Sequence, residues 1–79
     1  MTVLRFFAAA RAAVGVDEVP VSGVDLDAVL RGVEAADPSR WQALQERCSY
    51  LVDGVTTRDR STPLAGVSVV DVMPPFAGG

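Results

Sequence analysis

Val67-Ser68-Val69-Val70-Asp71-Val72-Met73-Pro74-Pro75-Phe76-Ala77-Gly78-Gly79 closes the chain. Its reading decides the fold. Val67 to Met73 has the period-two apolar pattern and the β-branched residues of a strand. Pro74-Pro75 must end that strand, since neither ring nitrogen can donate to a ladder. Thr2-Val3-Leu4-Arg5-Phe6-Phe7-Ala8, at the other end of the chain, has the same character. Leu4 and Phe6 fall on one face, and Val3, Arg5 and Phe7 on the other.

Between these two segments the punctuation is local. Ala9 to Val14 suits about one and a half helical turns, with Gly15 where a left-handed cap belongs. Asp17 to Val21 is a short strand, and Pro20 marks it as an edge. Leu26, Val29, Leu30 and Val33 lie at i, i+3, i+4 and i+7, the stripe of an amphipathic helix. Asp25 is its N-cap, Val24 and Val29 are spaced as a hydrophobic staple, and Pro38 stops it near Ala36. Ser39-Arg40-Trp41-Gln42 reads as a capping box opening a second short helix. Ser49 to Val52 and Val55 to Thr57 are strands joined by Asp53-Gly54, a turn whose two central residues need positive φ. Arg58 to Gly66 is a polar loop from which Leu64 tucks inward.

This order predicts an α+β fold: a mixed sheet of about five strands with one main helix packed on one face, and the first and last strands central and parallel. That is the β-grasp arrangement. The chain has 79 residues, so we expect one domain over residues 1–79, with 74–79 as a flexible C-terminal tail.

Composition removes several function classes. There is no histidine, and all seven cations are arginine. Imidazole acid–base catalysis, Cys/His zinc sites, Schiff-base chemistry and a phosphate-loop lysine are therefore excluded, and no metal site is expected. Cys48 is the single cysteine, read as an inert, partly buried thiol. The net charge is −3 and the arginines are scattered, which argues against nucleic acid. No apolar run reaches the roughly 18 residues of a membrane span, and the first residues do not read as a signal peptide. A cytoplasmic protein is the expectation.

Two features point outward. With Leu4, Phe6, Val70 and Val72 on the helix side, Phe7, Val69 and Met73 are left on the outer face of the sheet. There they form an apolar patch that a partner would cover. Asp71 shares that face, meeting water or a cation on a partner. Asp25 and Asp27 are read as helix-start acids and not as a catalytic pair. Trp41 is read as a lid on the core.

The second feature is the tail. Gly78 and Gly79 are thin enough to thread a narrow channel, and Pro74-Pro75 stiffens its base. What arrives first is the carboxylate of Gly79. Transfer of an adenylyl group from ATP would make it an acyl donor, and sulfur could then displace AMP to leave a thiocarboxylate. A thiol or an amine could be the acceptor instead. In each case the catalyst is another protein, and this chain binds no cofactor of its own.

Leu4-Arg5-Phe6-Phe7-Ala8, Arg11, Gly15, the Asp53-Gly54 hairpin, Pro63-Leu64 and the ending Pro74-Pro75-Phe76-Ala77-Gly78-Gly79 together resemble the ThiS/MoaD sulfur-carrier family. The likeness runs over the whole chain and is greatest to MoaD, the small subunit of molybdopterin synthase. The resemblance implies a ubiquitin-like β-grasp and a Gly79 adenylated by an E1-like, MoeB-type enzyme using ATP. A sulfur donor would then convert it to a thiocarboxylate. It further implies a large subunit, MoaE-like, that receives the tail, with sulfur passing to precursor Z in molybdenum cofactor biosynthesis. Gly78 and Gly79 match the family's tail, and Phe7 and Met73 match apolar positions that contact the large subunit. Val69, Pro74, Pro75, Phe76 and Ala77 complete the expected partner surface. Thr56-Thr57 departs from the pattern, standing where the family often has another apolar contact. The same tail chemistry would serve a sulfur carrier for thiamine thiazole or cysteine synthesis, or a ubiquitin-like modifier. Without lysine, such a modifier could not build lysine-linked chains on itself. An interaction domain with an incidental Gly-Gly end is the remaining reading.

Overall fold

The two alternating segments at the ends of the chain lie side by side at the centre of one sheet. The computed structural model describes residues 1–75. Strand β1 (Thr2–Phe6) is followed by helix α1 (Ala8–Val14), strand β2 (Glu18–Val21), helices α2 (Leu26–Arg31) and α3 (Pro38–Gln45), and strands β3 (Ser49–Val52), β4 (Val55–Thr57) and β5 (Val69–Met73). The sheet order is β2-β1-β5-β3-β4. β1 and β5 run parallel, with Val3 beside Val69 and Phe6 beside Val72, and the other pairings are antiparallel. Parallel neighbours need a long crossover, and everything from α1 to β4 supplies it. The mixed five-stranded α+β sheet expected from the sequence is the one observed.

The face assignment also holds. Leu4, Phe6, Tyr50, Val70 and Val72 point under the helices and are all buried. They meet Ala10, Ala13 and Val14 of α1, Leu26, Val29 and Leu30 of α2, and Trp41 of α3 in one hydrophobic cluster. Each aliphatic side chain so buried contributes on the order of 1.5–3 kcal/mol. Trp41 meets the ring of Phe6 edge-on, with centroids 5.6 Å apart at 90°. It is the core lid expected of it, although its indole Nε1 has no hydrogen-bond partner among the described residues. The Tyr50 hydroxyl donates to the carbonyl of Gln45 at 2.8 Å, tying β3 to the end of α3.

The helical layer is shared among three short helices. α2 stops at Gly32 instead of running to Ala36, leaving Val33 half-buried beyond it. Asp25 caps it as expected, its carboxylate accepting the Ala28 N–H at 2.9 Å. The staple does not form: Val24 is 81% exposed, its carbonyl instead accepting from Leu64 N–H. Pro38 opens a helix and does not close one. It occupies the first position of α3, where a missing N–H is harmless, and Asp37 is the N-cap through the Arg40 N–H. Ser39 is therefore inside the helix and not its cap.

Two turns match their sequence signals. Gly15 ends α1 at φ 96°, its N–H returning to the Arg11 carbonyl. Asp53 and Gly54 have φ of 46° and 87°, as the tight hairpin between β3 and β4 demands. Asp53 does more than turn the chain. Its carboxylate accepts from the N–H groups of Ser68 and Val69, at 3.1 and 3.0 Å. That side chain takes the donors that would have opened the ladder, so β5 begins at Val69 and not at Val67.

The loop after β4 is pinned onto α2. Asp27 accepts from Arg31 Nε and from Arg60 Nε, both at 2.7 Å, and Arg60 also donates to Gln45 Oε1. The hydrogen bond from Arg60, with Arg31 adding its charge, holds the Asp27 carboxyl below its ordinary 3.8. A carboxyl whose folded value is depressed stabilises the fold above its unfolded value and loses that contribution as the pH falls through the folded one. Asp27→Asn should therefore unfold at lower urea than the parent at pH 7, with the gap closing below about pH 4. A gap unchanged down to the acid limit would show that these ion pairs carry no stability.

Candidate functional site

Alternation in the sheet leaves one face without a helical cover. From β2 to β4 it carries Glu18 and Pro20, Val3 and Arg5, Val69, Asp71 and Met73, Ser49 and Leu51, and Thr56, as the register requires. Val3, Leu51, Val69 and Met73 are half-buried on it, and Phe7, just past β1, is 39% exposed.

Asp71 stands directly beside Arg5 across the parallel pair. Arg5 donates to it twice, Nε to Oδ1 at 2.6 Å and Nη2 to Oδ2 at 3.0 Å. Asp71 therefore has its cation within the chain and needs neither water nor a partner for one. The hydrogen bond and charge of Asp71 raise the already high pKa of Arg5. The Arg5 guanidinium carbon lies 5.8 Å from the Phe7 ring centroid, within cation–π range.

This ion pair divides the face. Val69 lies beside Val3 at one end. Phe7 and Met73 each follow the last β1–β5 pair, Phe6 and Val72, and so share the opposite end. The expected trio is thus two residues together and one roughly 13 Å away along the strand, at about 3.3 Å per residue. Leu51 and Val3 belong to the face as well. Leu51 was legible from its alternation with the inward Tyr50.

The corner beside Phe7 is strained. Phe7 is extended at φ −122° and ψ 151°, and Ala8, which opens α1, has φ 51°. That left-handed conformation costs an alanine roughly 1–2 kcal/mol. It reverses the chain from strand to helix in a single residue and leaves Phe7 outside the helical layer.

Pro74 is buried in the protein's own body, and Pro75 is exposed. Pro75, not Pro74, is therefore the first residue of the ending to offer free surface. Phe76, Ala77, Gly78 and Gly79 lie outside the described residues.

The remaining candidates are structural. Cys48 is 1% exposed, and burial pushes its thiol up to about 11. Arg11 reaches Asp17 at 3.4 Å on an open surface. Asp25 and Asp27 serve a cap and a loop anchor. No group of three or more metal-ligating side chains occurs among the described residues, and no helix among them is long and apolar enough to cross a membrane.

A β-grasp whose central last strand leads into Gly-Gly is one side of the comparison, and a family model is the other. The ThiS family model matches residues 4–79. The chain belongs to the ThiS family. The match takes in β1 from Leu4 on, β5 and the Gly78-Gly79 ending, and it makes the chain a sulfur carrier of the ubiquitin-like β-grasp type. Carriers of the ThiS family generally work with an adenylating enzyme and with partner enzymes. No curated protein sequence matches the chain.

Relieving the corner tests whether it is held under strain. Ala8→Gly should raise stability by about 0.5–1 kcal/mol, the left-handed penalty removed less the added chain entropy of glycine. Thermal unfolding reads this as a rise in Tm of a few degrees. Equal or lower stability would mean that the corner stores no strain.

Proposed function

We propose that this sulfur carrier is the small subunit of a molybdopterin synthase, with the carboxylate of Gly79 as the atom group that carries sulfur. The observation that supports this most is the convergence at one end of the sheet. Phe7 and Met73 stand together where the central strand β5 runs on into Pro74-Pro75 and, four residues later, Gly79. A partner that covers this end receives the terminus at the same time.

In the proposed sequence the Gly79 carboxylate oxygen attacks the α-phosphorus of ATP in a MoeB-like adenylating enzyme, and pyrophosphate leaves. The carbonyl carbon of the resulting mixed anhydride accepts sulfur from the donor, and AMP departs with the oxygen. The thiocarboxylate then enters a MoaE-like large subunit, where its sulfur bonds to precursor Z, and water then cleaves the acyl carbon–sulfur bond, leaving the sulfur on the pterin and returning the carboxylate. A dithiolene needs two such deliveries. Phe7, Met73 and the exposed Pro75 would make the contact, with Val69 at the far margin and Phe76 and Ala77 entering the channel with the glycines. The Arg5–Asp71 pair, neutral as a unit, can be covered without leaving an unpaired charge. ATP belongs to the activating enzyme, and this chain supplies no catalytic group.

The test is intact-mass measurement after incubation with ATP, the adenylating enzyme and a sulfur donor, followed by addition of the large subunit and precursor Z. One oxygen should be replaced by sulfur, and molybdopterin should form. The chain lacking Gly79 should fold normally and do neither. Thiocarboxylate formation without transfer to precursor Z would move the carrier to another sulfurated product, such as thiamine thiazole. Formation of a stable amide with a target protein would make it a modifier.

A further inference from the structure

An activated acyl group is a hazard to the protein that carries it. Any amine or thiol within reach can take the acyl carbon before the intended acceptor does. The sequence holds no lysine and one thiol, at Cys48.

The thiol is close but sealed. Ser49 pairs with Met73, so Cys48 stands level with Pro74, at the base of the tail. It shares the parity of Tyr50 and points under the helices, where it is 1% exposed within the hydrophobic cluster. Burial pushes the thiol up to about 11, so the reactive thiolate is scarce at neutral pH. Ser49 and Thr56 present hydroxyls on the outer face, but the chain has no histidine or lysine to act as their base.

We propose that the fold shields the activated terminus from the chain's own nucleophiles, so that the acyl group at Gly79 survives until an outside acceptor reaches it. This rests on the reading of Gly79 as the activated group. Its test, however, needs no activating enzyme, so the two can fail separately.

The probe is the full chain carrying a thioester of a small alkyl thiol at Gly79, made chemically, freed of excess thiol and held dilute at pH 7. Capture by Cys48 would form a new C–S bond to the acyl carbon and expel the small thiol with its proton. The product is a ring lighter than the free acid by one water, and added thiol reopens it. The folded chain should give only the hydrolysed carboxylate. In concentrated guanidinium the same chain should give the ring, and the Cys48→Ala chain should not. Ring formation in the folded chain at the denatured rate would overturn the proposal. So would its absence in the denatured chain, since the fold would then not be what prevents capture.

Discussion

The parallel pairing of β1 with β5 is the constraint on which the rest depends. It brings the two ends of the sequence to the middle of the sheet and sends them in the same direction. Leu4, Phe6, Val70 and Val72 then form a continuous floor for the helices. The same pairing sets Arg5 against Asp71 on the opposite face and carries Phe7 and Met73 to one end. It also leads β5 on into Pro74-Pro75 at that same end.

The uncovered face is organised by charge as well as by apolar area. A bidentate pair at 2.6 and 3.0 Å lies between two apolar ends, with the Phe7 ring against the guanidinium. Two charges that already satisfy each other cost less to cover than one that must find a partner across an interface. The corner at Ala8 adds to the same end, since its positive φ lets the strand give way to a helix without burying Phe7.

Much of this was legible in the residues, for physical reasons that differ from element to element. The inward and outward sides of β1 and β5 follow from a period of two, with the alternate set Leu4, Phe6, Val70 and Val72 buried. Gly15, Asp53 and Gly54 sit where the backbone needs positive φ, so their identities announce the turns. What escaped depends on non-local geometry. Pro38 was read as a stop because a proline disfavours helix before it, yet the same ring fits the first position of the next helix, and Asp37 made that choice. Val24 was spaced for a staple, but its segment pairs with the Pro63–Leu64 loop and stays exposed. Asp71 was placed on the correct face, while its partner Arg5 depends on register, which periodicity does not carry. Pro74 was read with the tail, although its ring is part of the body.

On the proposed reading, the chemistry belongs to the last carbonyl and to nothing else in the chain. Carbon-13 NMR on protein labelled at glycine carbonyls tests this directly, with spectra followed as ATP, the adenylating enzyme and sulfide are added. Of the seven glycine carbonyl signals, that of Gly79 alone should move to the thiocarboxylate position while the signals of the folded body hold. A Gly79 signal that stays in place while sulfur is incorporated elsewhere in the chain would contradict it.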